Sequence, residues 1–200
     1  MRETLAAALP LMLASVAVMG SPGPATLSVA IIGSTFGLRR ALTYLLGIIV
    51  GTTAVLLAVA AGITATLLAV PALRLALIAF SAGYILWLAY RIATAPPLAG
   101  RHAPGRPPSF FAATVFAIAN PKAWVATAAV FASARLAETA TADAVAKTAV
   151  LALMIVLIMV GWLLVGASLA PVLRSARHAR AVNVLLAGAL VVTTVASVVR

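Results

Sequence analysis

Apolar residues run through this sequence in long stretches, broken by short clusters of arginine, proline or glycine. Runs of about 20 apolar residues match a helix crossing the roughly 30 Å hydrocarbon core of a bilayer, so the pattern predicts membrane spans. Six can be placed. The first covers about 5–36, is interrupted at Gly20-Ser21-Pro22-Gly23-Pro24, and ends at Arg39-Arg40. The second, about 41–70, stops at Pro71-Ala72-Leu73-Arg74, and a third covers about 75–90. A polar linker with five prolines follows at 95–109. The fourth span, about 110–134, is interrupted at Asn120-Pro121-Lys122; a charged break (Arg135, Glu138, Asp143, Lys147) leads to the fifth at about 148–170 and the sixth at about 181–199. The expected fold class is an all-α polytopic membrane protein forming one transmembrane domain, with a first repeat at 1–94, the cytoplasmic linker at 95–109 and a second repeat at 110–200.

Composition sharpens this picture. The chain of 200 residues is 64% hydrophobic and 8% charged, against about 45–50% and about 25% in soluble domains. The net charge of +11 would suggest nucleic acid in a soluble protein, but here it reads as loop charge that sets topology. Eight Lys/Arg fall on the side holding the linker and five, with all three acids, on the other. The linker is therefore expected in the cytoplasm and both termini outside. Arg2 is offset by Glu3, so the first span reads as an uncleaved helix rather than a signal peptide.

The two interruptions carry the functional signal. An unbroken helix over 5–36 would be about 48 Å long, far more than a bilayer needs. Ser21-Pro22 and Asn120-Pro121 each pair a capping residue with a proline, which predicts a new half-helix starting inside the membrane. They lie 99 residues apart, and Pro71-Ala72-Leu73-Arg74 is echoed by Pro171-Val172-Leu173-Arg174. With three spans per half, the second half enters from the opposite side, giving a 3+3 inverted repeat with broken first and fourth helices. The alternative is that these prolines simply kink two helices.

Half-helix starts present free N–H groups and a positive dipole end, a receptor for a carboxylate. Lys122 is the one charged residue well inside a span, and the dipole of its own half-helix opposes its charge. A carbonyl, water or a substrate carboxylate must compensate it, unless it snorkels to an interface. As the one titratable group at depth, it is also the candidate to exchange a proton as substrate arrives and leaves. Tyr84 lies deep enough in span three to face the cavity. The candidate substrate-binding residues are Ser21, Pro22, Gly23, Pro24, Tyr84, Asn120, Pro121 and Lys122. The small-xxx-small spacing of Gly33, Gly37, Gly47 and Gly51 predicts close helix packing.

Ser21-Pro22-Gly23-Pro24, the glycines at 33, 37, 47 and 51, Pro71, Tyr84-Ile85-Leu86 and Asn120-Pro121-Lys122-Ala123-Trp124 together resemble the lysine exporter and homoserine/threonine-resistance (LysE/RhtB) family of bacterial inner-membrane exporters. The resemblance covers essentially the whole chain. It implies export of amino acids or close derivatives, driven by the proton gradient, through a six-span inverted repeat in the bacterial inner membrane. Ala25 stands where many members carry an acid or asparagine, Ala112-Ala113 where many have a glycine, and 131–134 lacks a frequent glutamine.

The residues themselves leave other classes open. An inorganic-ion or metal permease of related fold is disfavoured because no span contains Asp, Glu, Cys or His. No nucleophile–base or paired-carboxylate set points to an enzyme, and the absence of cysteine removes thiol redox chemistry. The expected partners are an amino-acid substrate and membrane lipid, without nucleic acid, metal or cofactor. Self-association into a homo-oligomer is left open.

Overall fold

The computed structural model describes residues 2–62 and 106–168, together with single helical positions at 72, 75, 76, 79, 83, 86, 87, 90, 181, 184, 185, 187, 188, 191 and 192. Most of the third and sixth spans, Tyr84, both copies of the Pro-x-Leu-Arg echo and most of the linker therefore lie outside the described residues. Among those described there are six helices: α1 (Arg2–Val18), α2 (Pro24–Phe36), α3 (Leu38–Ala60), α4 (Phe110–Ala119), α5 (Pro121–Ala132) and α6 (Ala140–Ser168). No strand occurs among them.

At the centre lies α2, with every residue from Pro24 to Ser34 buried. It is apolar all round, as a helix surrounded by other helices must be. Its hydroxyls are satisfied within the helix: Ser28 donates to the Ala25 carbonyl at 2.7 Å and Ser34 to that of Ile31 at 2.8 Å. Both α3 and α6 pack against it and against each other, while α4 and α5 pack on α3. On α3 the buried residues Ala41, Tyr44, Leu45, Ile48, Thr52, Val55 and Leu56 recur at helical spacing. The opposite face exposes Leu42, Leu46, Val50 and Leu57. Such an exposed apolar face is stable only in lipid. By length and composition, α3 and α6 can each cross a membrane, and α4 with α5 makes a third crossing if taken as one bent span.

Glycines let the helices approach to backbone contact. A Cβ on Gly51 would lie 2.5 Å from the Thr114 carbonyl and 2.7 Å from the Ala117 methyl. One on Gly47 would overlap the Phe110 carbonyl, and one on Gly166 the Ala30 carbonyl. So α3 is seamed to α4, and α2 to α6, by the small-residue packing that substitutes for a hydrophobic driving force in lipid.

Three boundaries differ from the sequence reading. Within the second span α3 ends at Ala60, because Gly62 adopts a positive φ of 77° and donates to the Val59 carbonyl at 3.0 Å, and 63–70 lie outside the described residues. That closes the helix in the left-handed turn that favours glycine. Arg39 and Arg40 lie inside the first turn of α3, since Gly37, at φ 78°, makes the corner between α2 and α3. The charged break is largely helical, because α6 starts at Ala140. Within it Asp143 pairs with Lys147 one turn on at 2.7 Å, and the Asp143 carboxylate also accepts from the amides of Leu136 and Ala137. Lys147 donates to the Ala134 carbonyl at 3.2 Å and sits 4.5 Å over the Phe131 ring. Charges held in this way prolong a helix instead of ending it.

Candidate functional site

The second break follows from one missing N–H. Pro121 cannot continue the hydrogen-bond ladder, so α4 ends at Ala119 and α5 leaves it at a bend of 62°. Asn120, buried and extended (φ −71°, ψ 109°), caps α5: its Oδ1 accepts from the Lys122 amide at 3.1 Å. In a continuous helix that amide would have bonded to the Ile118 carbonyl. The Trp124 indole N–H takes the carbonyl instead, at 2.6 Å. The Ala123 amide returns to the Asn120 carbonyl at 3.0 Å. The expected cap-proline start is present, and both sides of the break are sealed.

The first break is built differently. The expectation placed the half-helix start at Ser21-Pro22; the structure moves it two residues on. Gly23 is the N-cap and Pro24 the first residue of α2. Of the two prolines, Pro24 sits where the chain enters the helix, and Thr26 supplies the side-chain bond, accepting from the Gly23 amide at 2.9 Å. Ser21 belongs to the end of α1, donating to the Val18 carbonyl at 2.8 Å. The Gly20 carbonyl is taken by the Trp162 indole from α6 at 3.0 Å. At the start of α2, Pro24 has no N–H and the Leu27 amide reaches the Gly23 carbonyl at 2.9 Å. The amides of Ala25 and Thr26 are the first-turn donors left without an intrahelical acceptor.

Lys122 joins the two breaks. Its Nζ donates to the Ser21 carbonyl at 2.9 Å, the Ser21 hydroxyl at 2.8 Å and the Pro22 carbonyl at 3.0 Å. Three acceptors match the three protons of an ammonium group. The compensation expected for this charge is thus supplied by carbonyls at the C-terminal end of the opposite broken helix, the negative end of its dipole. Gly23 makes room for it: a Cβ there would lie 2.6 Å from Nζ and 2.8 Å from Cδ. No carboxylate forms an ion pair with Lys122 among the described residues.

Between the breaks lies a cavity with about 440 Å³ of empty space, its open mouth included. Gly23, Ala25, Thr26, Asn120 and Lys122 line one part, and Met19, Ala123, Ala126, Ile155, Ile158 and Met159 supply apolar wall. Of the expected residues, Gly23, Asn120 and Lys122 line it directly. Ser21 and Pro22 contribute by holding the ammonium, Pro24 and Pro121 by starting the two helices, and Tyr84 lies outside the described residues.

Sequence reasoning missed Thr52 on α3 and Thr127 on α5. Both line the cavity and both are buried, and neither hydroxyl has a hydrogen-bond partner. A threonine inside a helix ordinarily bonds back to the carbonyl one turn earlier, and a buried hydroxyl left unpaired costs roughly 1–3 kcal/mol. A lone threonine in an apolar span carries no pattern that marks it in advance.

Together the start of α2, the positive end of its dipole, and the Lys122 ammonium meet at the cavity, an arrangement suited to a small anion or carboxylate. No group of three or more His, Cys, Asp or Glu able to hold a metal occurs among the described residues. No curated protein and no solved structure matches the chain with significance. The LysE type translocator family does: its sequence model matches residues 16–199. Two exposed apolar helices long enough to cross a bilayer, helices broken beside a cavity, and a family match over nearly the whole chain agree, and the protein belongs to the LysE type translocators, a family of multi-pass membrane transporters.

Proposed function

We propose that this transporter exports amino acids or closely related small zwitterions from the cytoplasm across the bacterial inner membrane, coupled to protons. The observation that carries the reading is the shared lining of the cavity: Ala25 and Thr26, in the first turn of α2, border the same space as Lys122 and Asn120, a combination that would receive a carboxylate. An apolar wall on α6 completes the lining, the mix of apolar surface and a few polar groups that small-ligand sites use. The tie from Lys122 to Ser21 and Pro22, between breaks half a chain apart, supports an inverted repeat with six spans and its site at the repeat interface. In that arrangement the linker faces the cytoplasm and both termini face out.

Lys122 is the proposed coupling group. An arriving carboxylate competes with Ser21 and Pro22 for the ammonium, and release of substrate lets the amine exchange its proton. Efflux of labelled amino acids from proteoliposomes, with internal pH recorded, tests both parts. Wild-type protein is expected to move amino acid and protons at a fixed ratio. Lys122→Arg is expected to lose proton coupling, because a guanidinium does not deprotonate in proteins. Coupled efflux by that variant at wild-type stoichiometry refutes the coupling role, and absence of amino-acid efflux by the wild type refutes the transport reading.

A further inference from the structure

The three acidic residues of the chain are Glu3, Glu138 and Asp143, and none is among the described residues that line the cavity. Among the described residues the cavity therefore holds one positive charge, on Lys122, and no negative charge to receive a second cation. Its two unpartnered hydroxyls, on Thr52 and Thr127, come from α3 and α5. Thr127 is 0% and Thr52 4% exposed, so neither is satisfied by bulk water. Each hydroxyl belongs to a residue that lines the cavity and each lacks a partner, so a donor that enters and repacks the wall would find an acceptor there.

We infer that Thr52 and Thr127 form the ammonium subsite of the substrate and that the cavity accepts zwitterions with uncharged side chains while rejecting lysine and arginine. The inference rests on the amino-acid reading above. One carboxylate matches the single Lys122 charge and the α2 amides. The substrate's ammonium, which needs acceptors rather than donors, finds the two threonine oxygens. Its side chain meets Ile155, Ile158 and Met159, which offer nothing to a charge. A second cation would be desolvated in a cavity already positive, with no acid to pair with.

Purified full-length protein in proteoliposomes, assayed by counterflow of labelled L-alanine, L-threonine and L-lysine, tests this. Propionate serves as a competitor that keeps the carboxylate and lacks the ammonium. Alanine and threonine are expected to exchange at least about tenfold faster than lysine. Thr52→Val and Thr127→Val, close to isosteric, are each expected to raise half-saturating alanine about tenfold, the loss of a hydrogen bond to a charged group, and to leave propionate inhibition unchanged. Thr52→Ser and Thr127→Ser keep the hydroxyl and are expected to retain wild-type affinity. Lysine exchange equal to alanine exchange overturns the inference and leaves amino-acid transport standing. So do valine variants that match wild type, or that weaken propionate as much as alanine. No counterflow of any of the three from folded protein refutes the transport reading itself.

Discussion

The two broken helices look alike in sequence and differ in what they present. At Asn120 the interruption is a single residue, and the polar groups it frees are consumed locally by the asparagine side chain and the Trp124 indole. At residues 19–23 the chain leaves helical geometry for five residues, and α2 restarts with the Ala25 and Thr26 amides uncapped. The sealed break gives the cavity Asn120 and Lys122; the open break gives it Met19, Gly23 and the first turn of α2. A cap-proline motif thus announces a helix start, while the residues around it decide whether that start is closed to a ligand or open.

Exchanging these roles should break the site in graded steps. The largest effect is expected from Gly23→Ala. The atoms nearest the new methyl would be the flexible end of Lys122, with Nζ at 2.6 Å, so the fold should survive while the ammonium loses its three acceptors. Charge-assisted bonds worth roughly 2 kcal/mol correspond to about a thirtyfold loss of transport, with a melting temperature near wild type. Counterflow and thermal unfolding in detergent, measured on one preparation, check both halves. Transport at wild-type rates would mean that the tie is incidental.

Asn120→Ala opens the sealed break. A lost N-cap is typically worth about 1 kcal/mol, so about a fivefold loss of transport is expected, together with faster amide hydrogen exchange at Lys122. Unchanged exchange at that amide would show that the cap does not hold α5. Ser21→Ala should be the mildest. It removes one of three acceptors and leaves the Ser21 and Pro22 carbonyls in place, so transport should fall only about two- to threefold. A loss larger than that of Gly23→Ala, at equal protein levels, would mean that the hydroxyl rather than the carbonyls anchors Lys122.

Much of this was legible in the sequence because the bilayer imposes strict rules on backbone. The mid-span breaks, the fate of Asn120 as a cap and the packing at Gly33, Gly47 and Gly51 all followed from where hydrogen bonds or side chains are missing, whereas Gly37, expected to pack, has nothing within 4 Å and turns the corner before α3. The start of α2 was misplaced because Ser21-Pro22-Gly23-Pro24 contains two cap-proline pairs, and local preference does not rank them; the hydroxyl of Thr26, three residues past Gly23, settles it. The onset of α6 was hidden because charges normally end a span, whereas Asp143 and Lys147 neutralise each other one turn apart. Thr52 and Thr127 were invisible, since which face of a helix meets a cavity is a tertiary fact.

The glycine seams also limit how this molecule can deform. Where α3 meets α4, the positions in register are Gly47 over Phe110 and Gly51 over Thr114. Shifting the register by a single residue takes a screw motion of about 1.5 Å and about 100°, which brings a branched neighbour such as Ile48 or Val50 against a carbonyl. The seam behaves like a rack with fixed teeth: it holds, or it disengages as a whole, and it does not creep. The α2–α6 contact through Gly33 and Gly166 is toothed in the same way. Among the described helices, low-cost displacement is therefore confined to α1 and α5, which lie outside both racks, touch one another and are joined through Ser21 and Pro22, just past α1, and Lys122 on α5.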